Sequence, residues 1–151
     1  MPLIQAHHRL EVTTHGPGFV DITRDIIAWL RQIQAHDGLL TLFIRHTSAS
    51  LVIQENADPD VQADLTDALS SLAPEDRAWR HSTEGPDDMP AHVKAMVTAT
   101  SLSIPVMAGQ PVLGTWQAIY MVEHRAAPHQ REVVLHYSGT ATTDPTTSAR
   151  R

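Results

Sequence analysis

His81 and His92 bracket the stretch HSTEGPDDMPAH, with Asp87 and Asp88 between them. Two imidazoles and two carboxylates this close together suit a divalent cation, although a gap of eleven residues is no helical ligand spacing. If His92 falls in the first turn of a helix, the positive end of the dipole keeps its imidazole neutral, the form a metal requires. The plainer reading makes His92 a surface side chain and Asp88 a helix cap, and these residues alone support it equally. His46 heads a second polar run with Thr47, Ser48 and Ser50, an imidazole with hydroxyl donors suited to a phosphate or a metal-held water. The same run could be a polar bulge whose hydroxyls satisfy freed backbone groups, but bulges gather beside active sites, which tips the balance towards function. Further on, Asp58 is explained as a helix cap before Pro59, whereas Glu55 is not, and a carboxylate at a strand exit is a reasonable ligand or general base. A Ser-His-Asp reading of His46 and Ser48 is unspecific, since no nucleophile-elbow pattern is present. Glu123, His124, Arg125 and Arg131 form a third cluster; Arg forks suit phosphate, and a solvated turn with salt bridges is the more economical reading.

These side chains need elements to hold them. Leu40, Leu42 and Ile44 alternate as one apolar face, yet Leu51 and Ile53 have the opposite parity. Side chains alternate faces with period two, so the chain must bend, bulge or begin a new strand between residues 46 and 50. Strands are predicted over 3–13, 39–45 and 49–54. Ile22, Ile26, Ile27, Leu30 and Ile33 recur at helical steps, predicting a helix capped by Asp21 or Thr23, running to about residue 36 and ended by Asp37-Gly38. Asp58-Pro59 opens a second helix whose expected buried stripe is Val61, Leu65, Ala68, Leu69 and Leu72, stopped by Pro74. Residues 74–90 lack periodicity and read as a long ordered loop, a length usually tied to function or mobility. A helix over about 90–100, a strand near 102–107 and a turn at Gly109-Gln110 follow. GTWQAIYMVEHR and REVVLHYSG read as the two strands of a hairpin joined by AAPHQ. The mixture favours α+β with a largely antiparallel sheet and about three helices in two layers. One domain over 1–139 is expected, followed by a Thr-rich disordered tail over 140–151.

The bulk numbers exclude several classes. With 151 residues, 42% hydrophobic and 19% charged, the chain has a globular composition. Its formal net charge of -6 argues against a nucleic-acid binder of the basic-patch kind. The absence of cysteine removes disulfides, thiolate nucleophiles and Cys-based zinc sites. No apolar run approaches membrane-spanning length and MPLIQAHHRL lacks the apolar core of a signal peptide, so a cytoplasmic protein without membrane contact is expected.

Four blocks taken together go further. HTSASLVIQENADPDVQADL, HSTEGPDDMPAHVKAMVTATSL, LGTWQAIYMVEHR and the return strand from Arg131 resemble the YjbQ-like family, in that order and at similar spacing, over roughly residues 5 to 138. The resemblance implies a homotrimer of α+β subunits with a site rich in His and acidic residues near subunit interfaces. It also implies a weak, secondary thiamine-phosphate synthase activity, joining a pyrimidine diphosphate to a thiazole phosphate and releasing pyrophosphate. A metal-dependent hydrolase of a phosphorylated small molecule and a non-catalytic metal- or ligand-binding trimer are the competing classes. Carried onto this chain, the resemblance marks His46, Thr47 and Ser48, then Glu55, Asn56 and Asp58, then His81 and His92, then Gly114 to Gln117, then Glu123, His124 and Arg125. The expected arrangement is a divalent metal, zinc foremost and magnesium with a diphosphate substrate, on His46, His81 and His92. Glu55, Asp88 and Glu123 are the expected catalytic carboxylates. Thr47, Ser48, Asn56, Lys94, Thr115, Gln117 and Arg125 are expected to bind a small phosphorylated substrate.

Overall fold

The parity break at His46 marks a change of sheet. The computed structural model describes residues 1–143, and the remainder of the predicted tail, 144–151, lies outside the described residues. The element order is β1 (Leu3–Thr14), β2 (Gly18–Asp21), α1 (Thr23–Gln32), β3 (Ala35–Ile44), β4 (Ala49–Glu55), α2 (Pro59–Leu72), α3 (Asp88–Val97), β5 (Ser101–Met107), β6 (Gln110–Pro111), β7 (Gln117–Glu123) and β8 (His129–Ala141). The first sheet has five strands in the order β1-β8-β3-β5-β6, the second has three in the order β2-β7-β4, and every pairing is antiparallel. Leu40, Leu42 and Ile44 of β3 and Leu51 of β4 can therefore share one core despite their opposite parity, because they enter it from facing sheets. Ile119 and Met121 of β7 meet Val133, Leu135 and Tyr137 of β8 in the same interior, and Ile22, Ile26, Trp29 and Leu30 of the α1 segment pack into it.

Four expectations change. The first helix does not run to Asp37-Gly38: it stops at Gln32, Gln34 turns the chain with φ 57°, and β3 begins at Ala35. Gly38 instead sits within β3, where a side chain would strike the Ser138 carbonyl and the Gly139 backbone of β8. The stripe on α2 is not buried: Val61, Leu65 and Leu69 are half-covered while Ala68 and Leu72 are exposed. That helix lies over the outer face of the three-stranded sheet, where Leu65 and Leu69 line a hollow with Phe19, Val52 and Val122, because the two sheets already close the main core on each other. Its predicted cap is present, with Asp58 Oδ1 accepting from the Asp60 amide at 2.9 Å and Pro59 at the first helical position. The last two strands are no hairpin. β7 pairs with β2 and β4, whereas β8 pairs with β1 and β3, so the segment between them crosses from one sheet to the other. β8 also outruns the predicted domain end at 139, with Thr140 opposite Leu3.

Candidate metal centre

Both crossings between sheets, at residues 46–48 and 124–128, lead to one corner of the molecule. There α3 begins at Asp88, one residue earlier than a simple cap would allow, which places Asp88 and His92 one turn apart on the same helix face. The loop before α3 returns His81 to that face. His81 Nε2 lies 2.6 Å from Asp88 Oδ2, and His92 Nε2 lies 3.3 Å from the same oxygen. One ligand atom from each of the three residues falls within 4.8 Å of the others, the one such group of three among the described residues.

The hydrogen bonds around this trio decide what it can do. His92 Nδ1 is 3.0 Å from the Thr47 carbonyl, which can only accept, so Nδ1 carries a proton. If the imidazole is neutral, its Nε2 lone pair then faces a carboxylate oxygen, and two acceptors approach this closely only with a cation between them, either a proton or a metal ion. A backbone carbonyl fixing the far nitrogen of an imidazole is the usual outer support of a metal-binding histidine. Asp88 is buried at 2% exposure, and its second oxygen accepts from Arg125 Nη1 at 2.6 Å. Burial alone would raise its carboxyl, but hydrogen bonds within the cluster and the charges of His92 and Arg125 outweigh that and hold it below the ordinary carboxylate range. An ionised carboxylate and two imidazoles are a fitting donor set for zinc, with room for a further ligand.

The second layer is a buried ion pair. Glu123, at the end of β7, takes two contacts from Arg131 of β8, Nε to Oε2 at 2.7 Å and Nη2 to Oε1 at 2.5 Å. It also accepts from the Thr14 hydroxyl at 2.7 Å and the Arg125 amide at 2.9 Å. Burial would raise the Glu123 carboxyl, and these four donors pull it below its ordinary value instead. Arg131 Nη2 also donates to Ser48 Oγ at 3.0 Å. One carboxylate thus anchors both walls of the site, through Arg125 to Asp88 and through Ser48 to the Thr47 carbonyl that holds His92.

Several expected roles change on this geometry. His46 is not in the trio: its Nε2 accepts the Glu132 amide at 2.8 Å, and Asp88 is the third residue that converges with His81 and His92. Burial, then the Arg131 charge, lowers the His46 pKa and favours this neutral, accepting form. Arg125 is no free phosphate binder, because Asp87, Asp88 and the Glu84 carbonyl take its donors. Lys94 lies two residues beyond His92, nearly opposite on the helix, and lines a small hollow with Phe19, Glu123 and His124. Glu55 and Asn56 end β4 beside Gln117, and Thr115 just precedes β7. Ala49, at the other end of β4, pairs with Glu123, so these four residues sit roughly 20 Å from the corner at ordinary strand rise. Within one chain they cannot share a site with the trio.

Thr47 and Ser48 do line an open cleft of about 630 Å³ on the His92 side, with Phe43, Arg45, His46, Met96 and Arg131. On the His81 side the loop forms two further hollows, of about 340 and 350 Å³. The signal the sequence did carry for the trio was the four-residue step from Asp88 to His92. The sequence groups Glu123 and Arg131 in a solvated turn with salt bridges; that the pair is buried has no local signal, since the two strands that hold it belong to different sheets.

Beneath the site, His124 is 4% exposed and its Nε2 lies 2.9 Å from the Ser50 hydroxyl. Burial, with the Lys94 charge, lowers its pKa from 6.5 to about 4. The unfolded chain takes up this proton below about pH 6.5 and the folded chain resists it, so stability is expected to fall as pH drops from 6.5 towards 4. The loss attributable to His124 is at most about 3 kcal/mol. Urea midpoints at pH 7.5 and 4.5 check it: His124→Asn should flatten the pH dependence, and an unchanged pH dependence would exclude this origin.

An antiparallel sandwich flanked by helices, with an imidazole–carboxylate trio at the corner where the chain changes sheets, defines the class of protein. Residues 8–140 match the family described as UPF0047 protein YjbQ-like, and the chain belongs to that family. UPF0047 protein sll1880 of Synechocystis sp. is 51% identical over 131 residues, covering 86% of this chain and 89% of the relative. UPF0047 protein YjbQ of Salmonella typhimurium is 42% identical, covering 81% and 89%. Among solved structures, the conserved hypothetical protein TT1486 of Thermus thermophilus superposes with a TM-score of 0.76 at 39% identity, covering 85% of this chain and 97% of that one. A YbjQ-like protein of unknown function from Sulfolobus solfataricus shares the fold at a TM-score of 0.81 and 21% identity, covering 91% and 100%.

Proposed function

We propose that the chain is a metal-dependent transferase that joins a pyrimidine diphosphate to a thiazole phosphate and releases pyrophosphate, a thiamine-phosphate synthase-like reaction. The observation that carries this reading over simple hydrolysis is the presence of separate hollows on the two sides of the trio. One abuts His92 and the others abut His81, while the two rings lie 5.7 Å apart. A hydrolase needs one compartment and water, whereas transfer between two bound molecules needs two.

His81, Asp88 and His92 would hold the divalent metal, zinc foremost, and when bound it supplies positive charge to a leaving diphosphate. The chain's own residues do the positioning. Arg125 keeps Asp88 ionised and aimed, the Thr47 carbonyl sets the His92 tautomer, and Arg45, tied to Glu132 at 2.9 Å through Nη1 alone, offers its other N–H groups together with the Ser48 hydroxyl for a phosphate in the cleft. In the reaction the carbon–oxygen bond to the diphosphate breaks, pyrophosphate leaves with the electron pair, and the thiazole bonds to that carbon. Work on soluble metabolites in the cytoplasm belongs to this reading, and no helix among the described residues is long and apolar enough to cross a membrane. So does a homotrimer, in which Glu55, Asn56, Thr115 and Gln117 of one copy could approach the trio of another.

The test is a discontinuous thiamine-phosphate assay on zinc-loaded protein purified from a host lacking its own synthase, with the particle mass measured by light scattering. Asp88→Asn and His81→Ala, treated with zinc in the same way, are expected to fail to retain it and to lower the rate by at least about 10²–10³, the usual worth of even one charge contact made at the transition state. The wild-type mass should be that of three subunits. Equal product from all three proteins would detach the activity from this site, and a single-subunit mass would remove the trimer.

A further inference from the structure

The loop between α2 and α3 holds a tryptophan in a fixed pose without burying it. Trp79 Nε1–H donates to the Pro74 carbonyl at 3.0 Å, and the Arg77 guanidinium lies over one face of the ring, 4.6 Å from its centroid. The two hollows on this side share Arg77, Ala78, Trp79, His81 and Met89, so they adjoin and both reach the trio through His81. Glu75 lines the first, while the second adds Arg80 and has no carboxylate in its lining. An indole held rigid, a thioether and two guanidinium groups favour a planar π system that carries negative charge. An aliphatic ligand would forgo the ring contact and a cationic one would meet both arginines. A pre-set aromatic platform also costs little ordering entropy on binding.

We propose that this groove takes the ring of an aryl or heteroaryl phosphate, the ring against Trp79 and the phosphate directed past His81 to the candidate metal centre. The assignment rests on the reading of that centre as a metal and phosphate site, and it gives the His81 side to the aromatic diphosphate partner. The large cleft beside His92 is left for the second phosphorylated molecule.

Calorimetry on the zinc-loaded protein tests this with phenyl phosphate, inorganic phosphate and benzylamine. Phenyl phosphate is expected to bind roughly 5- to 150-fold more tightly than inorganic phosphate, the worth of one aromatic stacking contact, and benzylamine not at all. Trp79→Leu should erase that advantage while keeping the affinity for inorganic phosphate, and Trp79→Phe should restore part of it. An advantage that survives Trp79→Leu, or that wild type lacks, overturns the groove assignment while the phosphate site stands. If neither phosphate nor phenyl phosphate binds, the reading of the centre fails and takes this assignment with it.

Discussion

One equivalent of zinc per chain is expected in the wild-type protein, and none in His81→Ala, His92→Ala or Asp88→Asn. The three donors converge within 4.8 Å, and removing any one leaves two, too few to hold the ion against the surrounding water. His46→Ala should retain its zinc, because that imidazole already accepts the Glu132 amide. Arg125→Met reaches the ion only through Asp88 and is expected to weaken it by about 10–100-fold, the usual range for outer support. Metal analysis after dialysis, followed by competition with a chromophoric chelator, ranks the five variants. Undiminished zinc in both His81→Ala and His92→Ala would rule the centre out, and loss in His46→Ala would restore the all-histidine set.

The second large effect is on folding. Glu123→Gln leaves the Arg131 guanidinium charged at 4% exposure without its main partner. Removing one member of a buried ion pair typically costs about 3–5 kcal/mol, because the other charge stays desolvated. At this chain length that is a fall in Tm of about 6–20 °C. Replacing both residues with apolar side chains, as in Glu123→Leu with Arg131→Met, should recover much of the loss, since no orphan charge remains. Zinc affinity should not recover with it, because Arg125 and Ser48 have lost their common anchor. Chemical denaturation of the two single variants and the double gives the coupling directly. Single variants no less stable than an exposed-site control would mean the pair is not buried in solution. Glu123, expected on the resemblance to be a catalytic carboxylate, here holds other residues in place.

What the sequence revealed and what it concealed divide along local and non-local lines. Strand and helix positions were legible wherever the signal lies within one element, as in the Asp58-Pro59 cap and the alternation from Leu40 to Ile44. Even the break at His46 was visible as a parity conflict, though not its cause, since nothing local says that the next strand joins a facing sheet. The supposed hairpin failed for the same reason: two strands close in sequence pair with partners far away in it. Resemblance marked His81, His92, Thr47 and Ser48, and the fold brings these four to one corner. Resemblance also grouped them with Glu55 and Gln117, which a strand's length separates from them. The rigid pose of Trp79 has no sequence signature, because a loop without periodicity does not advertise which of its side chains are tied down.

The pairing of β1 with β8 has a kinetic meaning. Leu3 faces Thr140, Val12 faces Arg131, and Thr14 reaches across to Glu123, so two strands more than a hundred residues apart must find each other before the ion pair is fully enclosed. Contacts of such long sequence separation close late and slowly, and folds dominated by them reach the native state over milliseconds to seconds. A nascent chain still attached to the ribosome can complete α1, β3 and β4, yet it cannot brace Asp88 and His92 until residues beyond 131 have emerged. The frame that aims His81, Asp88 and His92 is therefore complete only once β8 has been made, and a chain interrupted short of β8 carries all three side chains without it.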